Sequence, residues 1–185
     1  VVTYVVDNCK ECYYCKNGFE NVCPDSLNSI TYKNPDGISG FCGFGQFVVA
    51  KAEDLYIAND NVAFEKLAVV EPVACVINSI NNANVEFGDD VLVIGGGTMG
   101  MLHVMLAHMK GANVILSEPV EERRKKALEL GANAVIDPTK VDVAEEVKKL
   151  TDGLGAKIVF NTTAIPAIAL QALDCTAKCG TMVMF

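Results

Sequence analysis

Beyond about residue 66 the chain alternates between short apolar runs and longer stretches whose apolar residues recur at helical spacing. Strands are predicted near residues 91–95, 113–117, 133–136, 157–161 and 181–185. Helices fall between them. One begins at Glu121, sets Glu121 four residues before Lys125 and Glu122 four before Lys126, and ends at Gly131, a suitable C-terminal cap. The next places Val143, Val147 and Leu150 on one face, with Asp142 and Glu145 at capping-box spacing. Five strands separated by four helices make a repeated βαβ pattern, which predicts an α/β fold built on a doubly wound parallel sheet. A complete dinucleotide-binding sheet of this kind has six strands, so the sixth is expected to be missing after Phe185.

Residues 1 to about 62 differ in texture, being rich in Asn, Gly, Cys and aromatics, with short β-like runs such as Phe47-Val48-Val49-Ala50 and no helical period. The division expected is 1–70 and 71–185. Both ends read as strands: Val1 to Val6 is a β-branched and aromatic run, and Gly180 to Phe185 is apolar with no turn after it. The expectation is an internal piece of a longer polypeptide.

Composition narrows the picture. The 185 residues are 51% hydrophobic and 21% charged, enough for a real core and incompatible with intrinsic disorder. Fifteen Lys and Arg against 23 Asp and Glu give a net charge of -8, which argues against a nucleic-acid partner. Val91 to Met109 lacks any Asp, Glu, Lys or Arg, but four glycines and two histidines interrupt it. A buried strand, a tight loop and a buried helix fit it better than a membrane span. With no basic-then-apolar signal peptide, cytoplasmic residence is the default.

The loop in that segment carries the first candidate chemistry. Val91-Leu92-Val93-Ile94 runs into Gly95-Gly96-Gly97-Thr98-Met99-Gly100, a G-x-G-x-x-G sequence between a strand and a helix. Gly95 permits the tight turn, Gly97 lets a pyrophosphate approach the backbone, and Gly100 lets helix and strand pack closely. The phosphates then sit on helix N-terminal amides, those of Thr98 and Met99 included. The alternative is a glycine turn that binds nothing. The next strand ends at Glu118, near the spacing of a ribose-binding acid; a carboxylate there accepts from both ribose hydroxyls and repels a 2′-phosphate, favouring NAD over NADP. Arg123 and Arg124 follow closely and either moderate that repulsion or form a salt-bridged helix face.

Eight cysteines in a cytosolic-looking chain call for metal or catalysis before disulfides. Cys9, Cys12, Cys15 and Cys23 form C-x2-C-x2-C-x7-C, a spacing that lets four thiolates converge on one structural zinc with no open coordination site. An iron–sulfur cluster and an empty or oxidised lobe are the rivals, although a ferredoxin run ends with three intervening residues rather than seven. Cys42, Cys75, Cys175 and Cys179 are expected in the core. His103 and His108 are expected to be packing or surface histidines.

A four-cysteine lobe, a Glu-Pro dipeptide and then a strand with G-x-G-x-x-G together resemble the zinc-dependent medium-chain dehydrogenases, the alcohol and polyol dehydrogenase superfamily. Gly43-Phe44-Gly45-Gln46-Phe47-Val48 looks like that family's glycine-aromatic strand entry, and Glu71-Pro72-Val73-Ala74-Cys75 matches the segment opening the coenzyme domain. The resemblance implies part of a β-rich, GroES-like catalytic domain followed by a Rossmann domain that binds NAD. It implies zinc-dependent oxidation of a secondary alcohol in a polyol, diol or threonine-like substrate to a ketone, by a homo-oligomer. In the sorbitol and threonine dehydrogenase branch the acid at Glu71 belongs to the catalytic zinc site. From the residues alone, a carboxylate in the apolar run Leu67 to Val76 must be paired, metal-bound, at a cleft, or a helix-start acid held by the dipole.

Thr162 and Thr163, at the end of the fourth strand, would line the nicotinamide pocket or act as strand-end caps. The family's first catalytic ligands, a Cys followed by Gly-His-Glu, are not in this sequence. A normal catalytic zinc site is therefore not expected to assemble from these residues by themselves. The second functional reading is a non-catalytic nucleotide-binding or redox-responsive protein on the same fold.

Overall fold

The computed structural model describes residues 1–3, 8–26, 47 and 52–185. Tyr4 to Val6, Cys42, Gly43 to Gln46 and Val48 to Ala50 lie outside the described residues, and the expectations placed on them go no further. The chain divides into two compact units, Val1–Ala68 and Val69–Phe185.

In the first unit β1 (Val2–Thr3) runs antiparallel to β2 (Leu55–Tyr56), with Val2 opposite Tyr56. The single turn α1 (Tyr13–Lys16) is capped by Cys12, whose side chain accepts from the Cys15 amide. A 3₁₀ turn at Glu20–Val22 leads to Cys23, and α2 (Phe64–Leu67) stands near the end of the unit.

The second unit opens with α3 (Val70–Asn82) and then alternates strand and helix: β3 (Asp90–Ile94), α4 (Thr98–Met109), β4 (Asn113–Ser117), α5 (Glu121–Glu129), β5 (Ala134–Ile136), α6 (Val143–Leu150), β6 (Ala156–Asn161), α7 (Pro166–Cys175) and β7 (Thr176–Met184). The strands form one parallel sheet in the order β5-β4-β3-β6-β7. This is the doubly wound α/β sheet that the sequence predicts. Val91, Leu92 and Val93 are wholly buried, as the central strand of a sheet covered on both faces requires. Alternate residues serve opposite layers. Val91, Val93, Val114, Leu116, Ile158 and Phe160 pack with Val76, Ile80, Val104 and Ala127 from α3, α4 and α5. Leu92, Ile94, Ile115 and Val159 pack with Val143, Val147, Ala172 and Cys175 from α6 and α7. Each fully buried aliphatic side chain contributes about 1.5–3 kcal/mol of transfer free energy.

α4 carries apolar residues around most of its circumference: Met99, Met101, Leu102, Val104, Leu106 and Ala107 pack into the core, while Met105 and Met109 are exposed. His103 within it is wholly buried: its Nδ1–H donates to the Met99 carbonyl at 2.8 Å, which leaves Nε2 to accept from the Ser79 hydroxyl at 3.0 Å. The rings of Phe160 and Phe185 lie 4.6 and 4.7 Å away. Burial pushes the imidazole pKa below its ordinary value, so it stays neutral. His108 is exposed at the last turn, its ring against Gly131.

Several local expectations change. Glu121 does pair with Lys125, at 2.7 Å, but Lys126 pairs with Glu129 instead of Glu122. Asp142 caps α6 by accepting from the Glu145 amide at 3.0 Å. Leu150, however, is 40% exposed, because Thr151 takes the buried position and binds the Val147 carbonyl with its hydroxyl. β7 starts at Thr176, earlier than predicted, and its register against β6 jumps from Ala156↔Thr176 to Ile158↔Thr181. Cys179 sits in that irregularity at φ +62° and is exposed, so it is not a core residue. Cys75 is exposed on α3 as well, and only Cys175 of the described members of that group is buried. Among the described residues no helix is long and apolar enough to cross a membrane.

Candidate functional site

The site begins where β3 ends. Gly95 turns at φ +98°, in the left-handed region that favours glycine, and its amide donates to the Ser117 carbonyl of β4 at 2.9 Å. A Cβ there would also meet Thr163 Cγ2 at 2.8 Å and Thr162 Oγ1 at 2.9 Å. Gly100, in the first turn of α4, lies so close to the Gly95 carbonyl that a Cβ would collide with its oxygen. Gly97 differs: its φ of -74° suits any residue, and a Cβ would meet nothing within 4 Å. Nothing inside the protein requires glycine at 97, and the backbone there is open to approach.

Gly97 is the N-cap of α4 and supplies no side-chain cap, so the first-turn amides lack the partner that a Ser or Asp would provide. The N-terminal partial charge of a twelve-residue helix favours an anion at that position. Thr98 is exposed there, whereas the Met99 side chain packs against the core and leaves only its backbone to the site.

Glu118, one residue beyond β4, is 3% exposed. Its Oε2 accepts from the Gly96 amide at 2.6 Å and its Oε1 from the Val120 amide at 2.9 Å, two bonds that hold the carboxylate beside the loop. Arg123 stands 3.8 Å from Oε2 with a side chain 54% exposed. Arg124 turns the other way: one guanidinium nitrogen donates to the Glu118 and Pro119 carbonyls, each at 2.7 Å, and the other pairs with Asp137 at 3.0 Å. A shallow open depression joins Gly96, Gly97 and Thr98 to Met101, Glu122, Arg123 and Lys126. Sequence reasoning, which pairs Glu122 with Lys126, misses their place beside the loop; the helical spacing of Glu122, Arg123 and Lys126 is the signal that sets them along one side of α5.

Beyond β6, Thr162 Oγ1 donates to the Ile94 carbonyl at 2.9 Å and the Gly95 carbonyl at 3.2 Å, while Thr163 Oγ1 donates to Asn161 Oδ1 at 2.8 Å. Both hydroxyls are thus engaged within the protein. Asn161, wholly buried and marked by no sequence motif, anchors this corner.

In the first unit the four cysteine sulfurs converge. Cys12–Cys15, Cys9–Cys23, Cys9–Cys15 and Cys12–Cys23 lie 3.5, 3.6, 3.9 and 3.9 Å apart. A tetrahedral zinc with Zn–S bonds of about 2.3 Å sets its sulfurs about 3.8 Å apart, so the donors fit one ion. They are too far apart for disulfides, whose S–S bond is about 2.0 Å. They are too close to enclose a multi-iron cluster. The Cys9, Cys12 and Cys15 amides point at the sulfurs of Cys23, Cys9 and Cys12 at 3.5, 3.3 and 3.5 Å. The Cys9 amide brings the Cys23 thiol down to about 7, whereas burial and the Cys12 thiol push Cys15 up to about 12.

Glu71 lies in the first turn of α3 and is exposed, because Val69 and Val70 around it are themselves open to solvent. Its Oε1 accepts from the Cys75 thiol at 3.2 Å, a contact that raises the Cys75 pKa. Among the described residues only the four lobe cysteines gather as a metal-binding group, so Glu71 and Cys75 do not make a catalytic zinc site by themselves.

A doubly wound sheet with a glycine loop, an uncapped helix and a strand-end acid at its switch point defines a dinucleotide-binding protein. Residues 98–185 match the zinc-binding dehydrogenase family. Over 176 residues the chain is 35% identical to scyllo-inosose 3-dehydrogenase of Thermotoga maritima, covering 90% of this chain and 43% of that protein. It is 32% identical over 181 residues to L-threonine 3-dehydrogenase of Caldanaerobacter subterraneus, covering 97% and 49%. A Sinorhizobium meliloti structure described as a zinc-binding dehydrogenase and solved with NADP superposes with a TM-score of 0.86 at 26% identity, over 98% of this chain and 52% of that one. This chain belongs to the zinc-dependent medium-chain dehydrogenase family, and it spans about half the length of the relatives it matches.

Proposed function

We propose that this chain supplies the coenzyme site and the structural-zinc lobe of an NAD(P)-linked oxidoreductase that converts a secondary alcohol, in a polyol, diol or threonine-like substrate, to a ketone. The observation that carries the reading is the open Gly97 backbone at the uncapped start of α4, set beside the buried carboxylate of Glu118. The relatives named for scyllo-inosose and L-threonine support the substrate class.

Gly95, Gly97 and Gly100 shape the loop so that the Thr98 and Met99 amides receive the pyrophosphate. Glu118 accepts from the adenosine ribose hydroxyls and disfavours a 2′-phosphate, so NAD is the preferred form. Arg123 flanks that ribose and partly offsets the carboxylate charge. Thr162 and Thr163 flank the nicotinamide side at the end of β6, Thr162 from behind the glycine loop. The bound nicotinamide supplies the hydride acceptor. Cys9, Cys12, Cys15 and Cys23 hold a structural zinc that fixes the fold of their lobe. Glu71 is the residue of this chain we assign to the catalytic zinc, together with ligands from the rest of the whole protein.

A second reading is a protein that binds nucleotide without turnover. A nicotinamide-reduction assay on the whole protein, with added zinc and with a chelator, across polyols, short diols and threonine, separates the two. Zinc-dependent NADH formation is expected; nucleotide binding with no turnover on any such alcohol selects the second reading.

A further inference from the structure

We infer that Thr162 is a positioning residue for the coenzyme, acting through the peptide between Gly95 and Gly96 instead of touching the ligand. The inference rests on the nucleotide-binding reading above and deepens it. Thr162 follows the last β3–β6 pair, Ile94↔Asn161. Its amide donates to the Ile94 carbonyl at 3.0 Å, and its hydroxyl reaches the Ile94 and Gly95 carbonyls at 2.9 and 3.2 Å. A hydroxyl carries one hydrogen, so it sits in the fork between the two oxygens. The Gly95 oxygen is also hemmed in by Gly100, where even a Cβ would strike it.

The consequence follows from peptide planarity. The Gly95 carbonyl and the Gly96 N–H belong to one rigid unit and point in opposite directions, so fixing the first fixes the second. The Gly96 N–H is the group that donates to Glu118 Oε2 at 2.6 Å. One hydroxyl from the end of β6 therefore sets the turn of the glycine loop and, through a single peptide, the aim of the carboxylate that would receive the ribose.

The test is NADH titration by fluorescence on the chain and on T162V, T162S, E118Q and T162V/E118Q, each well below its melting temperature. T162V exchanges the hydroxyl for a methyl of similar size and should weaken NADH about fivefold or more, while T162S, which keeps the hydroxyl, stays within about twofold. In the E118Q background the T162V penalty should shrink to less than about twofold, because the two residues act in series. A merely structural role would leave the penalties additive. Additive penalties, T162V binding like the unsubstituted chain, or T162S as weak as T162V would each overturn this inference while leaving the nucleotide site standing. If T162V does not fold, the T162S result alone still decides against the inference when affinity is lost. An unsubstituted chain that binds no NADH removes the nucleotide reading and this inference with it.

Discussion

Gly97 and Gly100 stand three residues apart in one loop under opposite constraints. Gly100→Ala places a methyl on the Gly95 carbonyl, and both stability and NADH binding should fall. Gly97→Ala meets only open space at an unstrained φ, so its melting temperature should stay unchanged while NADH affinity drops about tenfold, an interaction difference near 1.4 kcal/mol. Parallel melting curves and NADH titrations of the two variants check this; a Gly97→Ala protein with undiminished affinity would mean that the phosphates do not approach there. Glu118→Ser removes the buried carboxylate at the end of β4, and the NADH-to-NADPH affinity ratio should fall about tenfold or more in competitive titration.

At the level of elements, His103 ties α4 to α3 through Ser79 as a neutral ring. Its folded pKa lies below the ordinary value near 6.5, so the unfolded chain binds a proton that the folded chain refuses. This contribution is fully present above about pH 6.5 and is lost as pH falls through that value toward the lower folded pKa. Urea midpoints should hold steady from pH 8 to 7 and decline from pH 6.5 to 5.5, and the decline should be shallower in His103→Gln; equal slopes would contradict a buried neutral ring. The sheet, its helices and the glycine loop are legible in the sequence because each is written in consecutive residues: apolar runs, caps at Asp142 and Gly131, glycines at fixed offsets. The exposure of Cys179 is not, since it comes from a register jump set by pairing with β6. The exposure of Glu71 is likewise not legible, since an apolar neighbourhood in sequence does not record that the start of α3 is open to solvent. The acceptors of the Thr162 hydroxyl lie 68 and 67 residues away, a relation no local spacing records.

Across the whole molecule the two units carry separable chemistry, a four-thiolate cradle in one and a dinucleotide loop in the other. The purified chain should hold one colourless zinc ion, and Cys12→Ser should abolish it and lower thermal stability while leaving NADH affinity within about twofold, because structural zinc contributes folding free energy to the lobe that binds it. Metal analysis with visible absorbance checks the first part; iron with a visible band would contradict it. The most direct measurement is calorimetric titration of the zinc-loaded chain with NADH and then with NADPH. Saturable one-to-one binding of NADH, tighter than NADPH and weakened by Gly97→Ala, is the predicted result. Heat that never saturates with either nucleotide would contradict the coenzyme site itself.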